Sequence, residues 1–185
     1  AQDSGPGVVD SGAPPTVDSG MSTPATGDPR SAACLKCEMT ECNAMRWPNS
    51  DFTFNTCADF GTETVLGGVA MGMPRRAVCE KALTCVRETR CADPLIKVDD
   101  KGTAINPDAI NCLCGISNDE CISAKDLSAL KGACRNELAD AAETDDLQTI
   151  LEDLTNPEKP LGVVFRRTQC SQNLCADECY APCKS

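Results

Sequence analysis

The chain is 185 residues long and contains 15 cysteines, no histidine, one tryptophan, one tyrosine and four phenylalanines. With 28 acidic against 17 basic residues it carries a net charge of -11, which argues against nucleic-acid backbones and anionic membranes as partners. Without histidine the chain cannot by itself form a Ser-His-Asp triad, a Cys-His dyad, a His-ligated metal site or a Cys-x-x-Cys-His haem attachment.

Residues 1–31 have no cysteine and no aromatic, and about half of them are Pro, Gly or Ser. Asp-Ser-Gly recurs at Asp3, Asp10 and Asp18. Such a stretch buries too little apolar surface to offset its ordering entropy, so it is expected to be a low-complexity arm or tether. The chain opens at Ala1 with no leader in view. A processed export product or an artificially trimmed chain is expected, with a lipid on a cysteine just upstream of Ala1 as one way to tether it to a membrane.

Residues 32–185 form the cysteine-bearing body. A short helix is predicted from Ala32 to about Met45, carrying Cys34, Cys37 and Cys42 and closed by Pro48. Trp47, Phe52, Phe54 and Phe60, with Cys57, read as a local core cluster. Gly61 to Gly72 is small and apolar and reads as loop. Pro74 suits the first position of a helix running to about Thr89, with Val78, Cys79, Ala82, Leu83, Cys85 and Val86 facing inward. Beyond Cys91, Leu95–Val98 and Thr103–Ile105 flank Asp99-Asp100-Lys101-Gly102, a β-hairpin signal.

Cys112, Cys114 and Cys121 suggest a tight, turn-rich knot. Ser123 is expected to cap a helix with Leu127, Leu130, Cys134, Leu138 and Ala141 on one face and Gly132 as a break point; Ile122 and Leu127 form its staple. Thr144 or Asp145 is expected to cap a helix burying Leu147, Ile150, Leu151 and Leu154 and ending at Pro157. Leu161–Phe165 reads as extended. A last helix carries Cys170, Cys175 and Cys179, with Cys183 beyond. The fold class is therefore mainly α: a small disulfide-rich helical body with one short β-hairpin, preceded by an extended Pro/Gly/Ser-rich arm.

The sulfur chemistry decides the compartment. A chain this poor in aromatics lacks the usual core, and disulfides closing long loops contribute about 3–4 kcal/mol each. The cysteines are read as staples, which places the protein outside the cytoplasm: extracellular, on the cell surface or in the periplasm. Seven bridges leave one thiol, free or joined to another chain. Pairing between the opening cysteines (34, 37, 42) and the closing ones (170, 175, 179, 183) would clamp the ends together, although spacing alone leaves the connectivity open.

Two further constellations carry chemistry. Cys34-x-x-Cys37-x4-Cys42 approaches a zinc or redox motif, but no second Cys-x-x-Cys knuckle and no βαβ pattern accompanies it. Asp99-Asp100, Asp145-Asp146 and Glu152-Asp153 are carboxylate pairs of the kind a glycoside hydrolase uses, though here paired only by adjacency. Arg75-Arg76 and Arg166-Arg167 read as intramolecular ion-pair partners. No catalytic residue, cofactor or metal ligand is assigned.

Asn111-Cys112-Leu113-Cys114-Gly115, Cys121, Cys134-Arg135-Asn136-Glu137-Leu138, Ala141 to Asp145 and the run from Gln169-Cys170 to Cys179 together resemble a group of cysteine-rich exported proteins and lipoproteins of myxobacteria. That resemblance implies export and disulfides, and carries over no catalytic residue. The resulting expectation is a non-catalytic secreted or cell-surface structural or interaction protein. It is expected to bind a protein partner or itself, with the N-terminal arm as a candidate docking element, and to have no transmembrane segment. The alternatives are an accessory subunit of extracellular electron transfer or metal handling, and a secreted protease inhibitor or histidine-independent hydrolase.

Overall fold

The computed structural model describes residues 30–42, 56–93, 109–115 and 118–180. The arm up to residue 29, Trp47, Phe52, Phe54, the hairpin segment and Cys183 lie outside the described residues. The described chain is mainly helical. It comprises α1 (Ala32–Cys37), a π-helical turn (Glu38–Cys42), a 3-10 turn (Cys57–Phe60), α2 (Arg75–Thr89), α3 (Ala109–Cys114), α4 (Asn118–Ser123), a second 3-10 turn (Leu127–Ala129), α5 (Arg135–Ala142), α6 (Leu147–Asp153), α7 (Pro160–Leu174) and α8 (Ala176–Cys179). Among the described residues the β-structure is a single antiparallel bridge, Thr64 to Pro74.

Helix α7 is the axis of the molecule. It begins with Pro160, whose missing N–H costs nothing in the first helical turn, and it buries residues on nearly every side, from Leu161, Val164 and Phe165 to Thr168 and Cys170. The extended reading of Leu161–Phe165 is thereby corrected. A run of branched and aromatic residues suits a strand, but this one is enclosed by α2, α3 and α5, and burial on all faces removes the periodicity that marks a surface helix. Gly162 is needed there because a Cβ would lie 1.9 Å from the Asn156 carbonyl oxygen.

Helix α2 follows its pattern: Val78, Cys79, Ala82, Leu83 and Val86 are buried against the core. Pro74 is the N-cap residue, one position before the helix. The segment 123–142 departs from expectation. Ser123 ends α4 instead of capping a new helix, Asp126 caps the short 3-10 turn, and α5 starts only at Arg135. Gly132 forces the break, since it runs so close to α3 that a Cβ would meet the Leu113 carbonyl oxygen at 2.1 Å. The staple does not form, and Ile122 is exposed. The expected knot at Cys112–Cys114 is instead helix α3. Asp146, not Thr144 or Asp145, caps α6 by accepting from the Thr149 N–H at 2.8 Å.

Seven disulfides join these elements. Cys34–Cys179, Cys37–Cys175 and Cys42–Cys170 run as an antiparallel zipper between the first helical stretch and α7–α8. Cys57–Cys79 ties the first 3-10 turn to α2, Cys85–Cys134 ties α2 to the start of α5, Cys91–Cys112 reaches α3, and Cys114–Cys121 joins α3 to α4. At one pole the buried apolar cluster consists of the zipper cysteines Cys34, Cys42, Cys170, Cys175 and Cys179 with Tyr180. Sulfur fills the place that aromatics fill elsewhere.

The zipper explains a local irregularity. Positions five apart point about 140° apart on an ideal α-helix, so Cys37 and Cys42 would not share a face. Widening into a π turn over Glu38–Cys42 returns Cys42 to that face. On the opposing side the helix breaks at Cys175 (φ -122°, ψ 24°) between Cys170 and Cys179.

Because the three links are nested, they are not equivalent to three independent loop closures. The first closes a span of more than a hundred residues, worth about 5 kcal/mol, whereas each of the others adds only a small ring, about 2–3 kcal/mol. Cys34→Ala with Cys179→Ala is therefore expected to lower unfolding free energy by about 2–3 kcal/mol in denaturant titration. A loss near 5 kcal/mol would show that the links act separately.

Candidate functional site

The loop between the first 3-10 turn and α2 stands out from the acidic surface. From Thr64 to Pro74 it contains no charged residue, and Glu63 and Arg75 bound it. The Thr64–Pro74 bridge closes its neck, with the Val65 N–H donating to the Met73 carbonyl at 2.8 Å and the Arg75 N–H to the Glu63 carbonyl at 2.8 Å. Within it, Gly72 N–H donates to Val65 and Met73 N–H to Ala70, each at 2.9 Å. Val65 and Ala70 turn inward onto Val78 of α2 as a small core of their own. Leu66, Val69 and Met71 turn outward, with exposures of 75%, 88% and 69%.

Two glycines let the loop lie flat on the α5–α6 turn. A Cβ on Gly67 would sit 2.8 Å from the Glu143 carbonyl oxygen, and one on Gly68 (φ +69°) 2.9 Å from the Thr144 nitrogen. Beneath them is a buried carboxylate. Glu143 takes a forked pair of hydrogen bonds from the Arg75 guanidinium and a third from Lys159 Nζ at 3.0 Å, while Arg75 also reaches Glu63 at 2.7 Å. Burial by itself would push the Glu143 carboxyl up, but the hydrogen bonds from Arg75 and Lys159 outweigh it and hold the carboxyl below its usual range. Glu143 also sits at φ +63°, a conformation that costs a non-glycine residue about 1–2 kcal/mol; the ion pairs keep it there. One charged knot thus fastens the loop, α2, the α5–α6 turn and the entry to α7.

A second buried carboxylate, Glu38, lies beside the zipper. Its Oε2 pairs with Arg87 of α2, its Oε1 accepts from Ser171 Oγ, and its backbone carbonyl accepts from Arg167 Nη1 at 3.0 Å. Cys34, Cys179 and Glu38 bring ligand-type atoms within 4.8 Å of one another. The two sulfurs are bonded to each other and the carboxylate is already satisfied, so the cluster is structural. Next to it, burial and then the Glu38 charge push the Tyr180 phenol up to about 12.

The remaining sequence candidates are dispersed. Asp146 caps α6, Asp153 accepts from Asn156 Nδ2 at 2.8 Å, and Glu152 accepts from Gln148 Nε2 at 3.0 Å; these carboxylates serve their own helix ends and do not converge on a cleft. Asp99 and Asp100 lie outside the described residues. Of the basic doublets, Arg75 enters the buried knot and Arg76 pairs with Glu80 one turn on. For the outward segment the sequence predicts only a loop. Its signal was present in the uncharged run Val65-Leu66-Gly67-Gly68-Val69-Ala70-Met71-Gly72-Met73 on so acidic a chain.

No protein-family model matches the chain, and neither the curated proteins nor the solved structures contain a match to it. No helix among the described residues is long and apolar enough to cross a membrane.

Two outcomes test the electrostatics. Glu143→Gln is expected to cost about 2–4 kcal/mol at neutral pH, since it breaks a buried ion pair while Arg75 keeps Glu63. A carboxyl depressed in the folded state stabilises it above the unfolded value and loses that effect as pH falls, so the wild-type advantage should shrink below about pH 4.5. Tyr180 is the chain's single tyrosine, so absorbance at about 295 nm reads its ionisation directly. A midpoint near 12 is expected in native protein against 10.0 when unfolded, with the contribution of Tyr180 to stability constant below pH 10 and declining above it.

Proposed function

We propose that the protein is a non-catalytic interaction module of an oxidising extracytoplasmic space, secreted or held at the cell surface, and that it docks on a protein partner through the loop 64–74. Seven disulfides suit that compartment. The observation that carries the docking role is the outward placement of Leu66, Val69 and Met71 on a loop whose base is fixed by Cys57–Cys79 and by the buried Glu143 knot. Apolar side chains held in water by a rigid frame lose little conformational entropy on binding, which is the economical way to build a docking surface.

The protease-inhibitor reading fits this loop less well. Its backbone is folded into turns, with Met71 and Met73 N–H groups bonded to Gly68 and Ala70. An extended strand offering free main-chain donors, the usual means of adding to a protease cleft, is not what it presents. The metal-handling reading meets sulfurs already joined in pairs.

Placing a photoreactive amino acid at Val69 in cells that export the chain is expected to yield a discrete protein adduct, lost when Leu66 and Met71 are changed to Ser. Lipid adducts alone, no adduct, or native protein with most of its cysteines open to alkylation would overturn the proposal.

A further inference from the structure

A second apolar feature lies near the first. Ile110 of α3, Ile122 of α4 and Leu151 and Leu154 at the end of α6 line a groove of about 280 Å³, with Gln148 and Glu152 at its lip. Ile122 is 69% exposed. The groove is open and shallow, at the lower end of the roughly 300–1,000 Å³ of small-ligand pockets, a size that accepts two or three inserted side chains.

We infer that the docking partner is a second copy of this chain, bound about a two-fold axis with each copy's 64–74 loop seated in the other's α3–α4–α6 groove. This deepens the docking role proposed above and rests on it. The loop lies against Glu143 and Thr144, which lead into the N-terminal end of α6, and the groove is lined by the later turns of the same helix. Two α6 helices set antiparallel across a two-fold bring the beginning of each beside the end of the other. A seven-residue helix is only about 10 Å long, so a single axis serves both contacts, the self-complementary arrangement expected of a two-fold dimer.

Composition and charge agree with that geometry. Two copies at -11 repel each other, so contact is favoured where charge is sparse; the loop and the groove are two such apolar features among the described residues, which also expose Met39 and Leu174. Arg76 at the foot of the loop, in a surface pair with Glu80, is placed to meet the partner copy's Glu152 in this arrangement, while the neighbouring Glu63 is already paired with Arg75. Helix α6 is also the one helix among the described residues with no cysteine within or capping it, which leaves its outer face free of crosslinks.

Sedimentation velocity of the full-length protein at about 0.3 M salt, which screens the mutual repulsion, should show a monomer–dimer equilibrium. Val69→Asp and Ile122→Asp, both at exposed positions, should each weaken dimerisation at least about tenfold while leaving the melting temperature within a few degrees of wild type. Should either Asp variant fail to fold, the corresponding Ser variant takes its place. A photoreactive group at position 69 of the purified protein should crosslink to residues 110–122 or 148–154 of another molecule. A monomer at all concentrations up to about 1 mM, dimerisation indifferent to Ile122→Asp, a loop-to-loop crosslink, or pelleting with phosphatidylcholine vesicles in place of dimer would overturn the inference. A monomer that still gave the discrete adduct in exporting cells would sink self-docking alone and leave the docking role standing.

Discussion

The covalent zipper between the first helical stretch and α7–α8 is the constraint on which the other features rest. It fixes the chain ends of the described body against its central helix, and the backbone bends to accommodate it: a π turn on one side and a helix break at Cys175 on the other. Helix geometry normally dictates which side chains meet. Here the crosslinks dictate the helix geometry, because a disulfide tolerates only a narrow range of Cα separations, and these three span 4.7 to 5.9 Å.

Such crosslinking changes what the interior can hold. Among the buried carboxylates, Glu38 and Glu143 have arginines and a lysine around them. Buried ion pairs seldom add net stability over apolar packing, and their documented use is to specify one arrangement against others. In this molecule each sits where several elements must keep register. Glu38 lies where the π turn crosses α2 and α7, and Glu143 where the loop 64–74 rests on the α5–α6 turn. Disulfides supply the stability that leaves room for such devices, and the devices give a thin core its directionality.

The functional proposals follow from that division of labour. A frame stiffened by sulfur can hold apolar side chains out in water without collapsing over them, and a strongly acidic surface keeps the molecules apart except where charge is missing. The loop and the groove along α6 are such places. Their usefulness depends on placement at the two ends of one short helix that carries no crosslink of its own.

The helical class, the inward face of α2 and the core positions Leu130, Cys134, Leu138 and Ala141 were legible in the sequence, because periodicity and cysteine count are local or compositional signals. The helical state of Leu161–Phe165, the π turn and the late start of α5, beyond the expected break at Gly132, were not. Each is set by a neighbour far away in the chain: the α3 carbonyls, the helices enclosing α7, the zipper partners. Glu38 and Glu143 carry no local mark of burial, since burial of a charge is decided by which cations the fold brings to it. The sequence alone determined that sulfur must replace oil in holding this protein together. Which sulfurs join, which carboxylates go inside, and which uncharged loop stands out in water were decided only when distant segments met, because those outcomes depend on contacts that no local pattern encodes.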